Sequence, residues 1–145
     1  MKYWDSSAIV PLFIKQPLGI EVRKISLQDL ELSTWWGTHI ECASAFERLK
    51  KQDLLSDSDL LAAKNSLEKL IKEVDIISPS PWLKERALRL LSLHSLRAGD
   101  VLQLASALQW CQEQPKGAGF VCLDDRLRKA ALAEGFDVLP HFSSH

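Results

Sequence analysis

The chain is poor in the residues that define several large protein classes, with three cysteines, six glycines, six prolines and one tyrosine among 145 positions. Cys42, Cys111 and Cys122 are odd in number, far apart and without a CxxC pair, which excludes a disulfide framework and a structural zinc site and leaves three small core residues. His39, His94, His141 and His145 have no metal-ligand spacing either. No apolar run approaches the roughly 20 residues that span a bilayer, and no basic segment leads into an apolar one at the N-terminus, so the protein is expected to be cytoplasmic with no membrane association. A net charge of −1, from 18 basic and 19 acidic side chains, gives no global field for coating nucleic acid. It leaves room for a local basic rim around an acidic centre, for which Lys15, Arg48, Lys50, Lys51, Arg97, Arg126, Arg128 and Lys129 are available.

With 46% hydrophobic and 26% charged residues, the composition is that of a single globular domain over residues 1–145, with a frayed tail from 140. Residues 2–5 read as a short buried strand. "SSAIVPLFIK" has helical spacing at Ile9, Leu12 and Phe13, with Pro11 predicting a kink or a late start. A second short helix after Gln16 is expected to bury Ile20, Ile25, Leu27 and Leu30. "ELSTW" follows as a strand, then a helix over "THIECASAFERLKK" with Ile40, Ala43, Phe46 and Leu49 as its buried stripe. Ser56 or Asp57 caps the next helix, with Leu60, Leu67, Leu70 and Ile71 on its apolar face. "VDIISP" is a third strand, and Ser80 with Pro81 opens a helix to about Leu93. "DVLQLASALQWCQE" is apolar around most of its circumference, predicting a deeply packed helix. "GFVCL" is a fourth strand, "DRLRKAALAEG" a helix ending at Gly135, and "FDVLP" a fifth strand. The alternation predicts an α/β fold: a three-layer α/β/α sandwich around a mostly parallel sheet of about five strands.

In such sheets the functional crevice lies beyond the carboxyl ends of the strands. Asp5 and Asp124 follow the first and fourth strands, while Glu41 and Asp100 lie in the first turns of two helices. Each has a plainer reading as a helix cap. Asp5 and Asp100 suit helix N-termini, "THIE" at 38–41 matches a capping box, and either Asp124 or Asp125 can cap the helix of Arg126. Asp124 is favoured for the site because it comes first off the strand.

Those single readings do not account for the four acids in this order on this scaffold. With "YWDSSAIVPLF", "STWWGTHIECASAFERL", "LRAGDVLQLASAL" and "FVCLDDRLRKAALAEGF", spread over nearly the whole chain, the sequence resembles the PIN-domain ribonucleases, especially toxins of the VapC type from toxin–antitoxin pairs. The resemblance implies a PIN-like fold and an acidic site at Asp5, Glu41, Asp100 and Asp124, with Ser6 as a polar helper and Asp125 a secondary candidate. It implies an RNA substrate, a homodimer and a cognate antitoxin whose tail occupies the acidic groove. One position departs from the family: a Thr or Ser is common two residues before the last Asp, and here Cys122 stands there, read as a buried strand residue.

Carboxylates gathered within a few ångströms repel one another, and a divalent cation relieves that repulsion. Oxygen-only ligands suit Mg²⁺ or Mn²⁺. The expectation is therefore a metal-dependent endoribonuclease with Asp5, Asp100 and Asp124 as metal ligands and Glu41 as ligand or water-orienting base. Arg48, two turns beyond Glu41 and about 10 Å away on the same face, is expected to be exposed and either solvated or paired with Glu47 or Asp53, or else to touch a substrate phosphate. Trp35, Trp36 and Trp82 are candidate exposed aromatics for partner contacts. The alternatives are a noncatalytic binding or scaffold domain of the same fold and an Asp5-nucleophile phosphatase. The phosphatase reading wants a second Asp where Ser7 stands.

Overall fold

A computed structural model describes residues 1–29 and 31–142, so the expectations for Leu30 and for the tail beyond Phe142, His145 included, lie outside the described residues. The apolar runs form five short strands: β1 (Lys2–Trp4), β2 (Leu32–Trp35), β3 (Asp75–Ile77), β4 (Gly119–Val121) and β5 (Asp137–Leu139). All pairings are parallel, in the order β3-β2-β1-β4-β5. The helices between them are α1 (Ser6–Phe13), α2 (Gly19–Gln28), α3 (Thr38–Lys51), α4 (Asp57–Glu73), α5 (Pro81–Leu93), α6 (Ala98–Trp110) and α7 (Asp125–Glu134).

The side-chain alternation of a strand sorts the core into two layers. Trp4, Leu32 and Val121 face α1 to α4, packing on Ile9, Val22, Cys42, Phe46 and Leu67. Tyr3, Trp35 and Phe120 face α5 to α7, packing on Leu83, Leu90, Leu104, Leu108 and Leu127. The result is the expected three-layer sandwich. In the order 3-2-1-4-5 the chain reverses direction between β1 and β4, and the crevice at that reversal is where such sheets bind ligands. Asp5 and Asp124 flank it. Among the described residues, no helix is long and apolar enough to cross a membrane.

Local chemistry explains the helix limits. Ser56 and Ser80 cap α4 and α5 by accepting the amides of Asp59 and Leu83, and Pro81 takes the first helical position. Gly135 ends α7 at φ 112°, a left-handed conformation that favours glycine. Gly37 precedes α3 where a Cβ would stand 2.4 Å from the Trp35 indole nitrogen, so a side chain there would push α3 off the sheet. α1 starts at Ser6 without the delay expected from Pro11. Asp5 caps it at once, and a proline at the sixth position gives up only its own amide.

Two expected faces are corrected. α2 buries Val22 and Ile25 and exposes Ile20 and Leu27. α3 buries Cys42 and Phe46, leaves Ala43 half-buried and exposes 62% of Ile40. Each helix carries two apolar stripes, and the sheet selects one.

Candidate functional site

The four acids each start a helix or follow a strand at the same edge of the sheet. Asp5 leaves β1 and is the N-cap of α1, its Oδ2 accepting the Ser7 amide at 3.2 Å and its Oδ1 the Ser7 hydroxyl at 2.8 Å. The plain reading of Asp5 as a cap is therefore correct, and it coexists with a place at the strand-order reversal. The Ser7 hydroxyl also accepts the amides of Leu123 (2.9 Å) and Asp124 (3.2 Å), tying the end of β1 to the β4–α7 turn. Ser7 thus joins the two halves of the crevice. Cys122 lies just past β4, buried, with its sulfur 3.7 Å from the Ser7 oxygen. Burial drives its thiol strongly upward, so it is a neutral core group as expected.

Glu41 is freed from the role its sequence suggested. The N-cap of α3 is Gly37, with no side-chain cap, and Thr38 is the first helical residue, so the capping box read in "THIE" does not form. The Thr38 hydroxyl is drawn inward to Thr34 (2.7 Å) and Gln103 (2.9 Å). The Glu41 carboxylate turns to the crevice, accepting Ser6 Oγ at 3.1 Å on Oε2 and Gln103 Nε2 at 3.0 Å on Oε1. Asp100, in the first turn of α6, accepts the Arg97 backbone amide at 3.2 Å. Asp124, not Asp125, caps α7, its Oδ1 accepting the Leu127 amide at 2.9 Å. Asp125 instead opens the helix and lines the crevice beside Asp124.

Two cavities hold these acids. One, of about 430 Å³, is lined by Ser6, Ser7, Ile40, Glu41, Ser44 and Arg48. The other, of about 340 Å³, is lined by Arg97, Asp100, Asp124, Asp125 and Arg126. Arg48 is exposed and, among the described residues, pairs with neither Glu47 nor Asp53, in keeping with the solvated alternative; Glu47 is taken by Lys64, and Arg48 shares the cavity of Glu41. The basic rim is smaller than the sequence suggested. Arg128 is spent on the carbonyls of Cys122 and Pro140 and on the Phe142 ring, and Lys50 pairs with Asp57. Arg128 thereby fastens Pro140 to Phe142, the start of the expected frayed tail. The histidines pair locally, His39 with Glu68, His94 with Glu134 and His141 with Asp137. Of the tryptophans proposed as exposed, Trp36 (54%) and Trp82 (43%) are, while Trp35 is only 6% exposed because it carries the α5 to α7 face of β2.

The electrostatics mark one continuous acidic site. The Asp5 carboxyl is raised to about 7, by burial first and in smaller part by the charge on Glu41, against the hydrogen bonds of Ser7 and Cys122. Burial likewise raises Glu41, against the hydrogen bonds of Gln103 and Ser6 and with help from Asp100. Asp100 is raised by burial and by Asp124, and lowered by the Arg97 amide and by the charges of Arg97 and Arg126. Each acid therefore feels the next. The donor set fits a hard cation, since it contains carboxylates and hydroxyls with no thiolate or imidazole. Among the described residues, no three His, Cys, Asp or Glu side chains stand close enough to hold an ion as they are. Each carboxylate rests on its own amide or hydroxyl donors, which a cation would have to share or displace.

Sequence reasoning missed a buried polar chain behind Glu41. Tyr3 donates to Gln103 Oε1 at 2.6 Å, and Thr34 donates to the Trp4 carbonyl at 2.6 Å. Burial holds the Tyr3 phenol well above its ordinary range, so it stays a donor. The signal was present: a glutamine within a helix read as apolar all round must find partners inside.

No protein-family model matches the chain, and no curated protein matches its sequence. Among solved structures, the chain is similar to one from a toxin–antitoxin complex from Klebsiella pneumoniae, with a TM-score of 0.60, 15% identity, and coverage of 87% of this chain and 88% of that one. At that identity the likeness shows a shared fold.

Proposed function

We propose that this protein is a Mg²⁺- or Mn²⁺-dependent endoribonuclease of the PIN-domain kind, acting as the toxin of a VapC-type toxin–antitoxin pair. The observation that carries the reading is the placement of Asp5, Glu41, Asp100 and Asp124 around the β1/β4 reversal, with charge felt from each to the next and, among the described residues, no basic side chain paired with Asp5 or Glu41. Asp5, Asp100 and Asp124 would hold the metal, directly or through water. The metal, when bound, supplies an activated water and stabilises charge on the scissile phosphate. Glu41, gripped on both oxygens, keeps a lone pair on each to orient that water. Ser7 fixes the separation of Asp5 from Asp124. Arg97 and Arg126 on one side and Arg48 on the other are suited to hold phosphates flanking the cut. The toxin assignment draws on the sequence resemblance and on the origin of the structural neighbour in a toxin–antitoxin complex. An antitoxin that delivers a basic side chain to the acids, and a homodimeric toxin, belong to the same proposal.

A second reading draws on a specific feature. Asp5, Asp100 and Asp124 all serve helix starts, so a noncatalytic binding domain could retain them for stability. Cleavage separates the two. Purified protein is expected to cut RNA with Mg²⁺ or Mn²⁺ and to stop on chelation, with Asp5→Asn and Asp100→Asn folded but inactive. Equal cutting by those variants would assign the activity to a contaminant and sink the enzymatic reading.

A further inference from the structure

We propose that Gln103 is a positioning residue for Glu41, and that Tyr3 sets the direction in which its amide points. Gln103 sits on α6, 1% exposed, between β1 on one side and α3 on the other. An amide has two faces of opposite character, and which of them meets Glu41 decides whether the carboxylate is held or repelled. The Tyr3 hydroxyl is 2.6 Å from Oε1, and a neutral phenol beside an amide oxygen donates to it. That contact turns Nε2 the other way, where its two protons meet Thr38 Oγ1 at 2.9 Å and Glu41 Oε1 at 3.0 Å.

On the side of the amide away from Tyr3 the threonine protons are already committed. Thr34 gives its only proton to the Trp4 carbonyl at 2.6 Å, so the proton between the two threonine hydroxyls, 2.7 Å apart, comes from Thr38. Thr38 can then only accept from Gln103, and a flipped amide would set its oxygen against the Glu41 carboxylate and against Thr38, with its NH₂ toward Tyr3. Glu41, Thr38 and Tyr3 therefore all favour the same orientation of the amide. The network links β1, the strand that precedes Asp5, to the carboxylate of Glu41 through a side chain that lines neither of the two cavities described above. Removing the Tyr3 hydroxyl takes away one of the contacts that orient the amide, so a phenylalanine on β1 should loosen Glu41 on α3.

The role of a held Glu41 in catalysis rests on the ribonuclease reading; the holding itself does not. Two measurements keep them apart. In metal-free protein, the Gln103 side-chain NH₂ pair is expected as a dispersed NMR signal that exchanges slowly with solvent, and Tyr3→Phe and Glu41→Ala are each expected to speed that exchange. Unchanged protection in both variants, or fast exchange in the wild type, would overturn the proposal whatever the protein does. In the second measurement, Gln103→Met, similar in length and apolar, is expected to weaken Mn²⁺ binding by roughly tenfold or more, the usual cost of losing a group that orients a metal ligand, and to lower kcat on RNA with KM little changed. A Gln103→Met protein that melts differently yet keeps wild-type Mn²⁺ affinity and kcat would make Gln103 a packing residue and overturn the proposal. A wild-type protein that binds no Mn²⁺ sinks the ribonuclease reading instead, and the exchange measurement still decides whether Gln103 holds Glu41.

Discussion

The inner and outer halves of the acidic site are built differently. Asp5 is 3% exposed, and it and Glu41 are held by uncharged donors from Ser6, Ser7 and Gln103. Asp100 and Asp124 are more open and share their cavity with Arg97 and Arg126. Asp100 is thus partly offset by the charges of Arg97 and Arg126, while burial penalises charge on the inner pair and, among the described residues, no basic side chain pairs with either. A buried carboxylate in that position either takes up a proton or waits for a cation. On the proposed ribonuclease reading, a cation held by Asp5, Asp100 and Asp124 would relieve the inner pair most, and Arg97 and Arg126 on the outer rim would hold flanking phosphate.

The largest expected effect breaks the inner half. Asp5→Asn removes the most buried charge and is expected to lower RNA cleavage by about a thousandfold or more, with the loss in kcat and a cooperative melt retained. Glu41→Gln keeps the contacts to Ser6 and Gln103 in part and is expected to cost about a hundredfold, the scale of one general base or water-orienting group.

Stability against pH sharpens the same contrast without any substrate. The Asp5 carboxyl is raised from its unfolded value to about 7, so the folded state binds that proton more tightly. Its contribution to metal-free stability is fully present below about pH 4 and is lost as pH rises through about 7. Glu41 and Asp100 are raised as well and act in the same direction. Denaturation of metal-free protein is expected to show a loss on the order of 2 to 4 kcal/mol between pH 4 and 8 from Asp5. Asp5→Asn should flatten that slope, and a slope unchanged by the substitution would contradict the burial argument. The smallest effect belongs to the outer rim. Arg126→Ala is expected to raise KM for RNA severalfold and to reduce the salt dependence of binding by about one phosphate contact, leaving kcat nearly intact.

Most of the scaffold was legible because local signals and global pattern agreed. Ser80 with Pro81, Ser56 and Gly135 limit three helices where capping chemistry predicts, and the strand and helix alternation dictates the parallel sheet. Helix faces were less legible. Ile20, Leu27 and Ile40 form apolar spacings as good as those of Val22, Ile25, Cys42 and Phe46, and only the position of the sheet chooses between them. At the site, strand-end logic brought Asp5 and Asp124 to the same reversal, but the sequence offered capping and site membership as rivals. The fold uses one carboxylate for both, as Asp5 and Asp124 show. Glu41 failed its predicted capping box because Thr38 has a better partner in Gln103, 65 residues away, and no local motif could reveal that contact.

Calorimetric titration of Mn²⁺ into wild-type protein and Asp5→Asn near pH 7.5 tests the central claim most directly. Saturable binding by the wild type that is lost in Asp5→Asn, with both proteins folded by circular dichroism, is the predicted result. No binding by the wild type, or equal binding by both, would contradict a metal centre that depends on Asp5.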